Sequence, residues 1–316
     1  MRILKQSLAP FLLCSLFAPL VHAQNFWVGD ASGSANDWGV SSNWSLGHIP
    51  GNGENVAFDS AHPLNQSIRV PASMVISTNH LVRNLSFSNG FNPSNSTVIG
   101  SSSATARIIT FENNAVFFNN ASSGSVTFQP FNGGAGALSL RLNGFAEVAS
   151  APGSFLNLLV SIADGTGPGS IAVGNGPGTV VFGAANTYSG GTVVVAGFLQ
   201  GTHDRAFGTG SLTLNGGPIV LTLSGGATNN YIADNAVMSI ALSSTVNLNY
   251  IGTDIVGALV IEGVQQLPGV YSSANVSEFH GTGTITVIPE PTTWAMFAVG
   301  AVVLLAFRRR VSVRSQ

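Results

Sequence analysis

A chain of 316 residues with 38 glycines and only 8% Asp, Glu, Lys and Arg departs from the roughly 25% charge of an ordinary soluble domain, which excludes a body of charged, solvent-facing helices. Between the tails the bases are Arg69, Arg83, Arg107, Arg141 and Arg205, 5 against 12 acids (the chain's 13 less Glu290), so this stretch carries −7 and has no basic patch for nucleic acid. The single Cys, Cys14, lies near the N-terminus, which leaves the rest without a thiol, disulfide or thiolate metal site.

Arg2 and Lys5 precede an apolar stretch from Leu8 to Leu20, and Val21-His22-Ala23 follows with small or medium side chains at the positions a signal peptidase reads. Residues 1–23 are therefore expected to be a leader cleaved between Ala23 and Gln24. An anchor helix is the weaker reading, because the run is shorter than the roughly 20 residues of a span and Pro10 and Pro19 interrupt it. A lipoprotein reading through Cys14 meets the bulky Leu13 where a small residue should stand.

Residues 24–287 alternate short β-prone runs with Gly, Asn and Ser punctuation, among them Thr179-Val180-Val181-Phe182, Thr192-Val193-Val194-Val195 and Ser211-Leu212-Thr213-Leu214. Runs this short, separated by turn chemistry and without βαβ spacing, predict an all-β body of strands stacked along a coil or in a sandwich. Three of the four Trp, Trp27, Trp38 and Trp44, open this body. They are candidate glycan contacts, although the favoured expectation is that they pack over the first coil as a cap. The row Phe111, Phe117, Phe118, Phe128 and Phe131 offers the same choice between sugar stacking and an internal ladder.

The stretch Gly178 to Gly217 is more specific. It contains Asn186-Thr187-Tyr188-Ser189-Gly190-Gly191-Thr192 and later Gly208-Thr209-Gly210-Ser211-Leu212-Thr213-Leu214-Asn215-Gly216-Gly217. This pattern resembles the autotransporter-associated β-strand repeat, with looser copies over Ala106 to Phe118 and Gly124 to Phe145. The opening segment, Phe26 to Gly29 through Asp59, is similar to the first module of surface proteins that carry the repeat. The resemblance implies a right-handed parallel β-solenoid, with closing strands over Asp254 to Thr286. A β-sandwich stays open for Asn25 to about Asn95, where no repeat is evident.

Chemistry-bearing residues are scattered. His48, His62, His80, His203 and His280 never take a metal-ligand spacing, so no metal and no cofactor is expected. His203-Asp204-Arg205 is the densest polar trio and reads as a solvated loop before it reads as a catalytic group. Asp164 to Gly169 and Gly174 to Gly178 have the glycine density of a phosphate loop without its Gly-Lys-Ser/Thr ending, which reads as turns. Gly133 to Gly136 lacks the Asp of a calcium nonapeptide, and Thr284-Ile285-Thr286 is not repeated as an ice-binding array requires.

The last segment, 288–316, holds Pro289-Glu290-Pro291, an uncharged run from Thr292 to Phe307, and Arg308-Arg309-Arg310. Sixteen helical residues reach about 24 Å, somewhat under a roughly 30 Å hydrocarbon core, so 292–307 is expected to cross a membrane once with the arginines on the cytoplasmic side. The three elements in this order resemble the PEP-CTERM sorting signal of Gram-negative bacteria. The resemblance implies that a membrane-embedded exosortase reads Pro289, Glu290, Pro291 and the arginine cluster and removes the tail. A permanent anchor is the plainer alternative. The leading expectation is an exported structural protein of the cell surface or matrix that is not an enzyme. A polysaccharide- or ice-binding module and a β-helical polysaccharide lyase or hydrolase are the alternatives.

Overall fold

A run in which every second residue is apolar buries one face and leaves the other to solvent, and a body made of such runs needs a geometry that stacks the buried faces on one another. The structure, a computed structural model, describes residues 23–288 apart from 30–36, 52, 60–72, 76–77, 89–95, 102–105, 122, 131–137 and 175. In one sheet the strands Gln24–Phe26, Glu54–Phe58, His80–Ser88, Arg107–Asn120, Phe145–Ser150, Ser170–Val173, Thr192–Val194, Leu212–Leu214, Val237–Ile240 and Ala258–Ile261 stand side by side in chain order. In the second sheet Ser73–Val75, Ser96–Gly100, Gly124–Phe128, Ser154–Leu158, Thr179–Phe182, Gly197–Gly201, Ile219–Leu223, Ser244–Leu248 and Phe279–Gly281 do the same.

From Thr179 to Leu248 the chain visits the two sheets alternately, so each circuit lays one strand on each and the body is β-helix-like. Neighbours within the two sheets pair in parallel, except where Val264–Gln265 folds back antiparallel on Ala258–Ile261. This pairing begins at Gln24–Phe26 against Glu54–Phe58, so the described N-terminal strands continue the coil instead of forming a sandwich.

Registers carry like residues over like. Val126, Leu156, Val180, Leu199, Leu221, Val246 and Phe279 form one continuous inward row of the second sheet. Phe117, Val148, Val173, Val194, Leu214 and Ile240 form its counterpart in the first. All of these side chains are buried. Each rung lies about 4.8 Å from the next, and each buried aliphatic side chain contributes about 1.5–3 kcal/mol. Outward rows are polar in part: the Asn157 amide donates to Thr127 Oγ1 at 2.9 Å, and Asn247 does the same to Thr222 at 3.2 Å.

The corners need another device, because a turning backbone cannot satisfy its own N–H and C=O groups. Asn186 supplies it. Its side-chain oxygen accepts the Ile162 N–H at 2.8 Å, its amide nitrogen donates to the Ala206 carbonyl at 2.6 Å, and its own N–H donates to the Arg205 carbonyl at 2.9 Å. One fully buried side chain thus ties the coil before it to the coil after it. The next residues continue the join: Thr187 N–H reaches the Ile162 carbonyl, Thr209 N–H reaches the Tyr188 carbonyl, and the Tyr188 hydroxyl hydrogen-bonds Thr192 Oγ1. Gly208 sits at φ +71° against the Tyr188 carbonyl, where a Cβ has no room.

The chain closes with Thr253–Val256, Thr284–Val287 and Gly269–Tyr271, a three-stranded sheet at the C-terminal end. Among the described residues no helix is long and apolar enough to cross a membrane. The expected span 292–307 lies outside the described residues, as does the leader up to residue 22.

Replacing Asn186 with Ala strands a buried N–H in one coil and a buried C=O in the next. Asn186→Ala is expected to lose about 2–4 kcal/mol of stability, measured by urea unfolding followed by far-UV circular dichroism, whereas Asn215→Ala at an exposed turn should change it by less than about 0.5 kcal/mol.

Candidate functional site

The tryptophans form an end cluster. Trp27 meets Trp44 edge-on with ring centroids 5.1 Å apart, Trp38 lies 5.4 Å from Trp44, and Phe58 touches all three rings before stacking on Phe87 at 4.6 Å. Trp44 Nε1 donates to the Trp38 carbonyl at 2.8 Å. All three indoles are buried, so none offers a ring face on which a sugar can stack. The physical reason is that among the described residues no strand lies beyond Gln24–Phe26 in its sheet, and the apolar interior of this end draws the largest rings onto itself.

His80 belongs to this cluster, with its ring 5.2 Å from that of Trp38, its Nδ1 3.3 Å from the Pro50 carbonyl and its Nε2 3.2 Å from Thr78 Oγ1. Burial disfavours the imidazolium and lowers the pKa from the ordinary 6.5 to about 4, against opposing contributions from the Pro50 carbonyl and Asp37. The nearby His48 is exposed, and its hydrogen bond to Glu54 at 2.7 Å raises its pKa.

The phenylalanine row separates. Phe111, Phe117 and Phe128 are buried and stack internally, Phe111 on Phe117 at 5.5 Å and Phe117 against Phe128 at 5.1 Å. Phe118 is half-buried, and Phe131 lies outside the described residues. The void beside these rings, lined by Leu140, Leu158 and Ile171 among others, measures about 10 Å³, which is about one water-sized sphere. Exposed rings do exist where composition did not point to them. Phe155 and Phe198, 45% and 43% exposed, both align with Thr179 between them on the outward row of the second sheet. Period-two alternation in Ser154–Leu158, with Leu156 and Leu158 inward, is the signal that finds Phe155.

Three aspartates serve the corners. Burial pushes the Asp164 carboxyl up, but N–H groups of Gly169 and Ser189 and the Ser189 hydroxyl outweigh it and hold the pKa below the carboxylate norm. Asp204, from the polar trio, accepts the N–H groups of Thr228 and Asn230 in the next coil, while His203 and Arg205 face solvent. Asp254 is buried, which pushes its pKa up to about 8 even though Tyr231 and Ile232 N–H groups donate to it. The structure does not gather these groups: among the described residues no set of three or more His, Cys, Asp or Glu has the arrangement of a metal site. Thr253 and Thr286 touch through their hydroxyls at 2.6 Å on the closing sheet, next to Thr284.

Ala23 and Gln24, the expected cleavage pair, are exposed at the start of the first strand. At the other end Val287 completes the last strand, and Pro289, Glu290, Pro291, Arg308, Arg309 and Arg310 lie outside the described residues. A family model described as the PEP-CTERM protein-sorting motif matches residues 287–310. The chain carries a PEP-CTERM sorting signal. That motif is the mark of exported proteins handed to an exosortase, which makes exosortase the processing partner. A second family model, the passenger-associated-transport-repeat, matches residues 175–200, the circuit that runs through Thr179–Phe182 and Thr192–Val194 and contains the Asn186 corner. No curated protein and no solved structure matches the chain.

Because the folded state keeps His80 neutral down to about pH 4 while the unfolded chain binds the proton near 6.5, the contribution of this residue to stability is full above pH 6.5 and is lost as the pH drops through the window 6.5 to 4, whereas Asp254, kept protonated up to about pH 8 in the fold, acts in the opposite direction over the same window. The loss from this residue reaches roughly 3 kcal/mol. Tryptophan fluorescence during urea unfolding at pH 7 and pH 4.5 isolates it as a difference between two chains: on going to pH 4.5 the native chain should lose about 2–3 kcal/mol relative to His80→Gln, the Asp254 contribution being common to both.

Proposed function

We propose that the chain is an exported structural protein of the cell surface or extracellular matrix, built as a right-handed parallel β-solenoid and without a catalytic role. A leader ending at Ala23 takes it through the inner membrane, the segment 292–307 holds it there as a single helix, and an exosortase reading Pro289-Glu290-Pro291 releases it. The observation that carries this reading is the position of the sorting motif. It starts at Val287, the last residue of the last strand, so processing after that point frees the whole folded body without cutting into it. The stacking supports the structural role, since the inward rows and corner hydrogen bonds spend the polar side chains on holding coils together. Intact mass of the protein from its native host, taken separately for cells and for medium or matrix, tests the proposal. The extracellular form should lack residues 1–23 and everything after about Pro289, and an extracellular or surface form still ending at Gln316 overturns the processing step.

A second reading, a polysaccharide-binding module, is favoured by Phe155 and Phe198, two exposed rings on one outward row, with Asn157 and Gln200 one row away. If that row binds glycan, Phe155→Ala with Phe198→Ala should weaken retention on host matrix polysaccharide by about tenfold, equivalent to about 1.4 kcal/mol, with an unchanged unfolding curve. Unchanged retention leaves the structural reading alone.

A further inference from the structure

Among the described residues, the large apolar side chains with more than half of their surface exposed are Leu242, Ile251, Val264, Leu267 and Val270, all from the C-terminal coils. Elsewhere among the described residues the exposed large apolar side chains, such as Phe155 or Val193, are less than half exposed. Ile251 is 89% exposed and Leu267 80%, values that a protein surface reserves for isolated residues or for sites that meet something apolar.

Two of them flank the point where the chain leaves the fold: Val270 stands opposite Thr286, and Leu267 lies two residues before Gly269, the partner of Val287. In the closing sheet Gly269 pairs with Val287, Val270 with Thr286 and Tyr271 with Ile285, antiparallel. Directly opposed residues share a face, so Val270 and Thr286 lie on the same side, with Ile288 two residues on. Ile255 joins them from Thr253–Val256, where it is paired with Thr286. The opposite face, Ile285 and Val287, is buried. Leu267 lies in the connection that enters the sheet, two residues before Gly269, and the Tyr271 hydroxyl fixes that connection by donating to the Leu267 carbonyl at 2.6 Å.

The tether is short. From Ile288 to Thr292, where the uncharged run begins, is four residues, at most about 14 Å of fully extended chain. Once 292–307 is in a bilayer, the closing sheet cannot move further than that from the lipid surface. No Lys or Arg occurs between Arg205 and Arg308, and Glu262 and Glu278 stand near the sheet in sequence, so attraction to anionic headgroups is not available to this face.

We propose that the outward face of the closing sheet at the chain's exit, with Val270, Ile288 and the adjoining Leu267 as its contacts, rests in the interfacial region of the membrane until the tail is removed. This rests on the reading of 292–307 as a transient anchor. The face holds the body in one orientation at the bilayer, and the contact depends on tethering: a few aliphatic side chains bind lipid weakly alone, and the covalent link supplies the high local concentration. Removal of the tail therefore releases the body and does not leave it adsorbed.

A photoreactive benzoylphenylalanine placed at Leu267, at Val270 or, as control, at Leu46 of the N-terminal end, in the full chain expressed in an export-competent host lacking an exosortase, tests this. Irradiation of intact membranes should give a phospholipase-sensitive phospholipid adduct at positions 267 and 270 and none at 46, with equal yield in membranes depleted of anionic lipid. A protein adduct at 267 and 270, or no adduct while the chain resists alkaline carbonate extraction, overturns the membrane-facing assignment and leaves the anchor standing. Release of the chain by carbonate extraction instead overturns the anchor itself.

Discussion

Parallel, nearly in-register stacking of short strands is the interaction on which the rest depends. Most of the strands are too short to persist alone, since three to five residues supply few hydrogen bonds and only two or three buried side chains. Stacked between two neighbours it gains a ladder on both edges, and its inward residues meet the equivalents of the coils above and below. Val180 between Leu156 and Leu199 is typical. The stability of such a body grows with the number of coils and is nearest-neighbour in character.

Stacking also explains why so few charged residues suffice. In most domains charges populate a large solvated surface, whereas here several of the polar side chains are spent inside or between coils. Asn186 bridges three coil segments, Asp164 and Asp204 accept backbone N–H groups of later coils, and Asp254 accepts those of an earlier one. Amides and carboxylates suit this duty because each is compact and rich in hydrogen-bonding atoms. The body consequently reads as acidic without presenting an acidic cluster to a ligand.

A one-dimensional stack has two ends, and the two are finished differently. The first coil is covered by Trp27, Trp38, Trp44 and His80, which turn their rings inward and bury them. The last coils are finished by an antiparallel fold-back at Val264–Gln265 and by the closing sheet, which protects strand edges while leaving aliphatic side chains outside. The sealed end is the N-terminal one, and the apolar end is the one that precedes the sorting signal.

Order and composition alone determined the C-terminal sorting signal, the all-β character and the Asn-Thr-Tyr-Ser-Gly-Gly-Thr corner, because these depend on local properties: an apolar run with flanking charge, a period of two, and glycines where the backbone must take positive φ. The direction in which an aromatic residue points is not local. Trp27 and Phe155 are alike in sequence as large rings in β-prone runs, but one is fully enclosed and the other half exposed, since that depends on which strand lies across the coil and on whether another coil lies beyond it. For the same reason the duties of Asp164, Asp204 and Asp254 were illegible, as their partners sit a full circuit away in the chain. Only the tertiary stacking, which converts a separation of some twenty residues into one hydrogen bond, decided those.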